Sequence, residues 1–330
     1  MIELKHSHLQ FSFPEVHKEA TLSVSFQRTL RIPDDNEVHS LPPGLGDFPV
    51  RLIDDFARKV PSTWIERGGV MLPMYQSEAL WIYFSASYPF AVKIAAGKVN
   101  AVTGEAWTDE FQKEPQDYVV TPGQPWLDGF CVEKGVIRQF VAMPLGAGYS
   151  AEEQITGKAE HGGIQFIVSP IKREAYDQSR MKARAVGFAM NELCGASLGM
   201  EMALAPGGRM RQEIFDDPHE FSDWDFSHKS RCFVHLANSL SWRAITGKNP
   251  PTTPITAKEY TDAGLPWFDY YDENLAALHG AQKLAELKSV ARMGQEKGDV
   301  PLPENESVTP EHVIILRKGL GKNQVREGRF

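Results

Sequence analysis

The feature that most constrains this chain is the punctuation of its first 170 residues, where short runs of β-branched and aromatic side chains are each closed by Gly, Pro or Asp. Runs this short have only one face to bury, so they must pair as strands and receive a second layer over that face. Leu22, Val24, Phe26, Leu30 and Ile32 fall mostly at even spacing within Thr21 to Ile32, which predicts a strand with one buried side. Leu9, Phe11 and Phe13 predict another. Aromatic runs at Trp81 to Phe84 and Phe90 to Ile94, punctuated by Gly97 and Gly104, predict successive hairpins, and Val136 to Met143 and Ile164 to Val168 supply further strands, the second entered through Gly162 and Gly163. Asp128 and Gly129, between Trp126-Leu127 and Phe130-Cys131-Val132, match the two-residue hairpin turn in which both residues take positive φ. A short helix is expected around Val50 to Lys59, ended by Pro61. The sum is an antiparallel β-sandwich or distorted barrel.

From about residue 171 the pattern changes. Arg173 to Leu193 reads as a helix, Thr256 with Glu259 has capping-box spacing before a short helix closed by Gly264, and Asp272 to Met293 carries an apolar stripe of Leu275, Leu278, Leu284, Leu287 and Val290. The fold expected is therefore α+β. Residues 1–170 form a β-rich region, 171–293 a mainly helical region packed on it, and 294–330 a charged tail whose apolar run, His312 to Leu316, suits an edge strand in this chain or a neighbour. Within the tail, Arg317 to Phe330 holds five bases and one acid and reads as a solvated segment.

Composition limits the partners. With 42% of 330 residues hydrophobic there is ample material for a core, and 43 acids against 35 bases leave a net charge of −8 that argues against duplex nucleic acid. Three well-separated cysteines, Cys131, Cys194 and Cys232, form no disulfide framework or CxxC knuckle. The polar opening Met1 to Gln10 is unlike a secretory leader, and the uncharged stretch Ala79 to Val92, at 14 residues, falls short of the ~20 that span a bilayer as a helix. These features predict a soluble cytoplasmic protein without a cofactor, meeting a small polar ligand, a protein or further copies of itself.

Five chemistries are legible. Gly195-Ala196-Ser197-Leu198-Gly199 fits the G-x-S-x-G nucleophile elbow, with His279 as base, Asp225 or Asp269 orienting it, and amides at His161-Gly162-Gly163 for an oxyanion. The preceding residues read as a charged helix rather than the buried strand an elbow follows, and the βα alternation of a parallel sheet is missing. His219, His228, Cys232 and His235, beside an acidic run over Gln212 to His228, are borderline metal-ligand types, with Cys232 and His235 three apart on a helix; nothing in the spacing gathers them. The glycines before Ser150 and Glu153 suggest an anion-binding helix start, opposed by two glutamates in its first turn. Arg209 and Arg211 beside the Gly207-Gly208 turn are placed to clamp an anion or to pair with the acidic run that follows. Tryptophans in Pro and Asp surroundings, Pro125-Trp126-Leu127-Asp128 and its echo Pro266-Trp267-Phe268-Asp269, can stack on a polar ring beside a carboxylate. The expected binding residues are thus Trp126, Asp128, Arg209, Arg211, Trp267 and Asp269, in a non-catalytic binding or self-assembly protein; the alternatives are a serine hydrolase and a metal-dependent enzyme.

Overall fold

The computed structural model describes residues 1–35, 37–183, 199–270 and 276–316. The chain opens as an antiparallel meander of β1 (Ile2–Lys5), β2 (His8–Ser12) and β3 (Thr21–Thr29). Leu9, Phe11, Leu22, Val24 and Phe26 are all buried, as their alternation predicts. After β4 (Val38–His39), β5 (Gly44–Asp47) pairs with the end of β3. The helix expected over Val50 to Lys59 is replaced by β6 (Arg51–Leu52) and a single 3-10 turn at Asp54–Phe56, and α1 (Ser62–Arg67) begins after Pro61. Proline has no N–H to give and a φ already suited to a first turn, so it opens a helix more readily than it closes one.

β7 (Val70–Pro73) leads to β8 (Ala79–Ala86) and β9 (Phe90–Ala96), which take different partners instead of forming a hairpin. β8 lies against β3, whereas β9 pairs with β10 (Val99–Asn100) and β11 (Val119–Thr121). β12 (Trp126–Leu127) joins β8, while β13 (Gly129–Glu133) joins β14 (Val136–Pro144). Asp128-Gly129 is therefore a step between two neighbouring strands and not a hairpin turn. Gly129 has no positive φ; it is glycine because a Cβ there would lie 2.0 Å from the Arg138 carbonyl oxygen. The reversal falls at Lys134-Gly135, with Gly135 at φ 74°.

After α2 (Ala151–Thr156) come β15 (Ile164–Pro170) and α3 (Arg173–Ala183), the first part of the helix expected over Arg173 to Leu193; residues 184–198 lie outside the described set. β16 (Gly199–Arg211) and β17 (Ser230–Asn238) then return to the β-body. β16 pairs with β14 from Met202 to Arg211 and with β17 at Gly199 and Met202, and β17 pairs with β15 and β7. One continuous hydrogen-bonded sheet thus folds over on itself, and Phe26 of β3 meets Phe166 of β15 edge to face at 5.9 Å across the core. The molecule is α+β, with an antiparallel β-rich N-terminal half and helices mostly toward the C-terminus; its layers do not close into a barrel.

The remaining elements are α4 (Ser239–Thr246), α5 (Ala257–Asp262), β18 (Trp267–Tyr270), α6 (Gln282–Ala285), α7 (Val290–Lys297) and β19 (Val313–Leu316). α5 carries the expected capping box, Thr256 Oγ1 accepting from Glu259 N at 3.1 Å. The long helix expected over Asp272 to Met293 does not form. Residues 271–275 are outside the described set; beyond them Asp216 N donates to Ala276 O, Leu278 N to Ile214 O and Ala281 N to Cys131 O, so this backbone spends its hydrogen bonds on the β-body. Gly280 permits the contact, since a Cβ would sit 2.2 Å from the Val132–Glu133 backbone. Helix then comes in two short pieces, α6 and, where the Ser289 hydroxyl caps it, α7. The apolar run at 312–316 does form a strand, β19, paired in parallel with β18 of the same chain. No helix among the described residues is long and apolar enough to cross a membrane.

The two kinds of glycine constraint predict different penalties. Gly129→Ala should lower unfolding free energy by about 2–3 kcal/mol, because a backbone carbonyl cannot move aside, whereas Gly157→Ala, at φ 72° with open space around it, should cost about 1 kcal/mol. Urea denaturation of both variants checks the order.

Candidate functional site

Strand register assembles a polar and aromatic face on the side of β3 and β8 opposite the core. Directly opposed residues share a face, so Ser25, Tyr83 and Trp126 form one row and Asp47, Gln27 and Trp81 the next. Trp81 stands edge to face with Tyr83 at 6.0 Å and with Trp126 at 6.3 Å, and Trp126 meets Tyr270 of β18 at 5.0 Å. All four rings are half-buried. Beneath them Gln27 Nε2 donates to Ser25 Oγ at 3.0 Å and to Asp47, which also holds His8 Nε2 at 3.1 Å.

Asp128 lies beside this face, 4% exposed. Its amide donates to Gln212 Oε1 at 2.9 Å and its carboxyl accepts from Gln212 Nε2 at 2.6 Å. Burial pushes its pKa up to about 7, the hydrogen bonds from Trp126 and Gln212 only partly offsetting that. Gln212 Nε2 also reaches the Trp126 carbonyl at 3.4 Å, which ties the end of β16 to the aromatic row. One residue earlier, Arg211 Nη1 donates to Asp269 Oδ2 at 3.1 Å; Asp269 Oδ1 is buried and has no donor among the described residues. Arg209 pairs instead with Glu133 at 2.6 Å. These two arginines therefore engage Glu133 and Asp269, which β-pairing brings near, and not the acidic run expected to neutralise them.

Four of the six expected binding residues, Trp126, Asp128, Arg211 and Asp269, stand together, with Arg209 two residues away along β16. Trp267 does not take part in the ring contacts. It is 0% exposed and its indole N–H donates to Thr261 Oγ1 at 3.1 Å, so it packs β18 and α5. Trp81 and Tyr83 are the members that the sequence reading did not include.

The other constellations separate. Ser197, the elbow nucleophile, and Cys194 lie outside the described residues. His279 is exposed, Asp225 is held by His228 at 2.8 Å and by Ser227, and Asp269 by Arg211. The amides proposed for an oxyanion are taken within the protein itself, Gly162 N donating to Glu152 Oε2 at 2.8 Å, His161 N to the same oxygen at 3.2 Å and Gly163 N to Met202 O at 3.1 Å. The Gly148 amide is likewise taken by Glu153 at 2.7 Å. Cys232 and His235 lie three apart on a strand, β17, and so face opposite sides. His235 is stacked on Trp64 at 4.5 Å with Nε2 3.0 Å from Gly68 O, and burial lowers its pKa to about 3. His219 packs edge-on against Trp224. No group of three metal-ligating side chains converges among the described residues.

No known protein family matches the chain. No curated protein and no solved structure does either.

The buried carboxyl has a pH signature. Folding raises the Asp128 pKa above its ordinary 3.8, so the folded state holds a proton that the unfolded chain releases between those values. Its contribution is complete below that lower value and is lost as pH rises through about 7. Subtracting the stability profile of Asp128→Asn from that of the wild type should leave a decline of about 1–3 kcal/mol between pH 4 and 8. Glu78, raised to about 7 by burial, and His235, whose lowered pKa acts with the opposite sign, cancel in that difference.

Proposed function

We propose that this is a non-catalytic cytoplasmic binding protein whose aromatic face takes a small polar ring compound, a sugar or short oligosaccharide. The observation that carries the reading is the continuous run of rings from Trp81 through Trp126 to Tyr270, set between the Gln27–Asp47 pair and the Arg211–Asp269 pair. Sugars present C–H faces to aromatic rings and hydroxyls to carboxylates at the ring edge. Asp269 Oδ1 supports the second half of that match, being a buried acceptor that a ligand hydroxyl would satisfy. Cys131 and Cys232 are buried and unpaired, in keeping with a reducing compartment. Binding is preferred to self-assembly because β19, the strand offered by the sequence to a neighbouring subunit, pairs with β18 of its own chain.

The test is a glycan array probed with the full chain, followed by tryptophan-fluorescence titration of whatever is retained. At least one hexose oligosaccharide should bind saturably, with affinity falling tenfold or more in Trp126→Ala, a loss of about 1.4 kcal/mol. An array without retained glycans, or a Trp126→Ala protein that binds as well as the wild type, refutes the proposal.

A further inference from the structure

Behind the aromatic face three buried polar side chains converge on one residue that bears a ring. Gln124, Asp128 and Gln212 are 2%, 4% and 7% exposed. The Trp126 carbonyl accepts from Gln124 Nε2 at 2.9 Å and from Gln212 Nε2 at 3.4 Å, and Gln124 Oε1 is itself held by Phe215 N at 3.0 Å. Asp128, two residues on, takes both Gln212 Nε2 and the Trp126 indole as donors to its carboxyl. Burial closes Asp128 off from anything seated on the rings, so what it does for a ligand it does through Trp126.

Both side-chain bonds to that carboxyl come inward. Gln212 is kept from turning its amide over because its Oε1 accepts from Asp128 N at 2.9 Å, and an indole N–H is a donor in every state. Two donors suit a carboxylate, which offers an acceptor to each. Once a proton sits on the carboxyl, one of its oxygens becomes a donor set against a donor, and one of the two bonds is lost. Gln212 is held at three points, by the Asp128 amide, the carboxyl and the Trp126 carbonyl. The Trp126 indole N–H has only the carboxyl among the described residues, so the ring is the part released.

The charged side chains on the surrounding elements are turned to one another. Arg211 holds Asp269, Arg209 holds Glu133, and Arg138 of β14 faces Asp34, Arg209 and Glu133. Asp47 holds His8 and Gln27, Arg28 and Glu78 pair on the other face of β3, and Glu213 and His279 are exposed. No charge among the described residues acts on Asp128, so burial alone brings its titration to about 7.

We propose that Asp128 is the positioning residue of the aromatic face: as a carboxylate it fixes the Trp126 ring where a ligand meets it, and on taking up a proton it releases the ring. The ligand is that of the sugar-binding reading, on which this role rests; release of the ring is a property of the free protein.

The test follows the Trp126 indole N–H resonance in the full chain labelled with 15N-tryptophan, identified among seven indoles as the peak absent from Trp126→Phe. The proton should lie downfield at about pH 8.5, hydrogen-bonded, and move upfield along one titration as pH falls to about 5.5. Any oligosaccharide retained by the glycan array should bind about fivefold or more tightly at the higher pH. Asp128→Asn, with an amide donor in place of the second acceptor, should keep the acid-side position and one affinity at every pH. Glu78→Gln removes the other carboxyl that burial raises to about 7 and should titrate as the wild type does. Should Asp128→Asn not fold, the wild-type and Glu78→Gln titrations carry the test. The proposal is overturned if the Trp126 resonance does not move, if it moves as far in Asp128→Asn, if it stops moving in Glu78→Gln, or if the oligosaccharide binds equally at both pH values. An array without retained glycans refutes the sugar reading and leaves the resonance to decide the positioning role, so the two failures are distinct.

Discussion

The close backbone approach at Gly207 and Gly208 is the constraint on which the rest of the molecule depends. A Cβ at Gly208 would lie 2.0 Å from the Pro33 carbonyl oxygen, and one at Gly207 would lie 2.5 Å from the Val141 side chain. Only glycine lets β16 lie this close to β14 and to the chain leaving β3. From that seat β16 does two things. Toward its start it pairs with β17 and so joins the two layers, and toward its end it aims Arg209, Arg211 and Gln212 at Glu133, Asp269 and Asp128. The residues between Pro206 and Gln212, read from the sequence as a flexible turn bearing two guanidinium groups, are strand and strand end, fixed on both sides by backbone.

The strands were legible because short β-branched and aromatic runs bounded by turn residues are a local signal, and the segments around Thr21, Phe90, Val136 and Ile164 each carry it without reference to anything distant. The capping boxes at Ser150 and Thr256 were legible for the same reason. What escaped was decided by distant partners. Asp128-Gly129 has the chemistry of a hairpin turn, yet β8 and β14 each claim one of its flanks, and the pairing overrides the local preference. Leucines at helical spacing after Asp272 fit a helix equally well until the backbone near Gly280 is bonded to β13.

The site divides along the same line. Trp126 and Asp128, and Trp267 and Asp269, were singled out from a four-residue echo, but the echo cannot tell which tryptophan is covered. Trp126 sits on a sheet face beside Tyr270, whereas Trp267, at the equivalent place, lies under α5. Trp81 and Tyr83 are joined to Trp126 only through the register of β8 with β12, a fact that no spacing in the chain contains. Gln212 was equally invisible. A glutamine at the end of a strand carries no motif, and its importance comes from satisfying both the amide and the carboxyl of a buried aspartate.

Two polar surfaces of the β-body are completed by the C-terminal third. Tyr270 and Asp269 close one side of the aromatic face, and α7 with Leu302 and Asn305 roofs a cavity over Asp34 and Arg138. The β-body beneath is bound by long ladders and an apolar core, but the roof is held largely by a few side-chain hydrogen bonds from Asp34, Tyr149, Gln154 and Arg31, with apolar contacts from Val290, Met293 and Leu302. Elements attached by few buried apolar contacts open at lower free energy than the core they cover. Arg31 marks the boundary between the two, since it belongs to the chain leaving β3 and yet finds its hydrogen-bond partner, Asn305, on the roof.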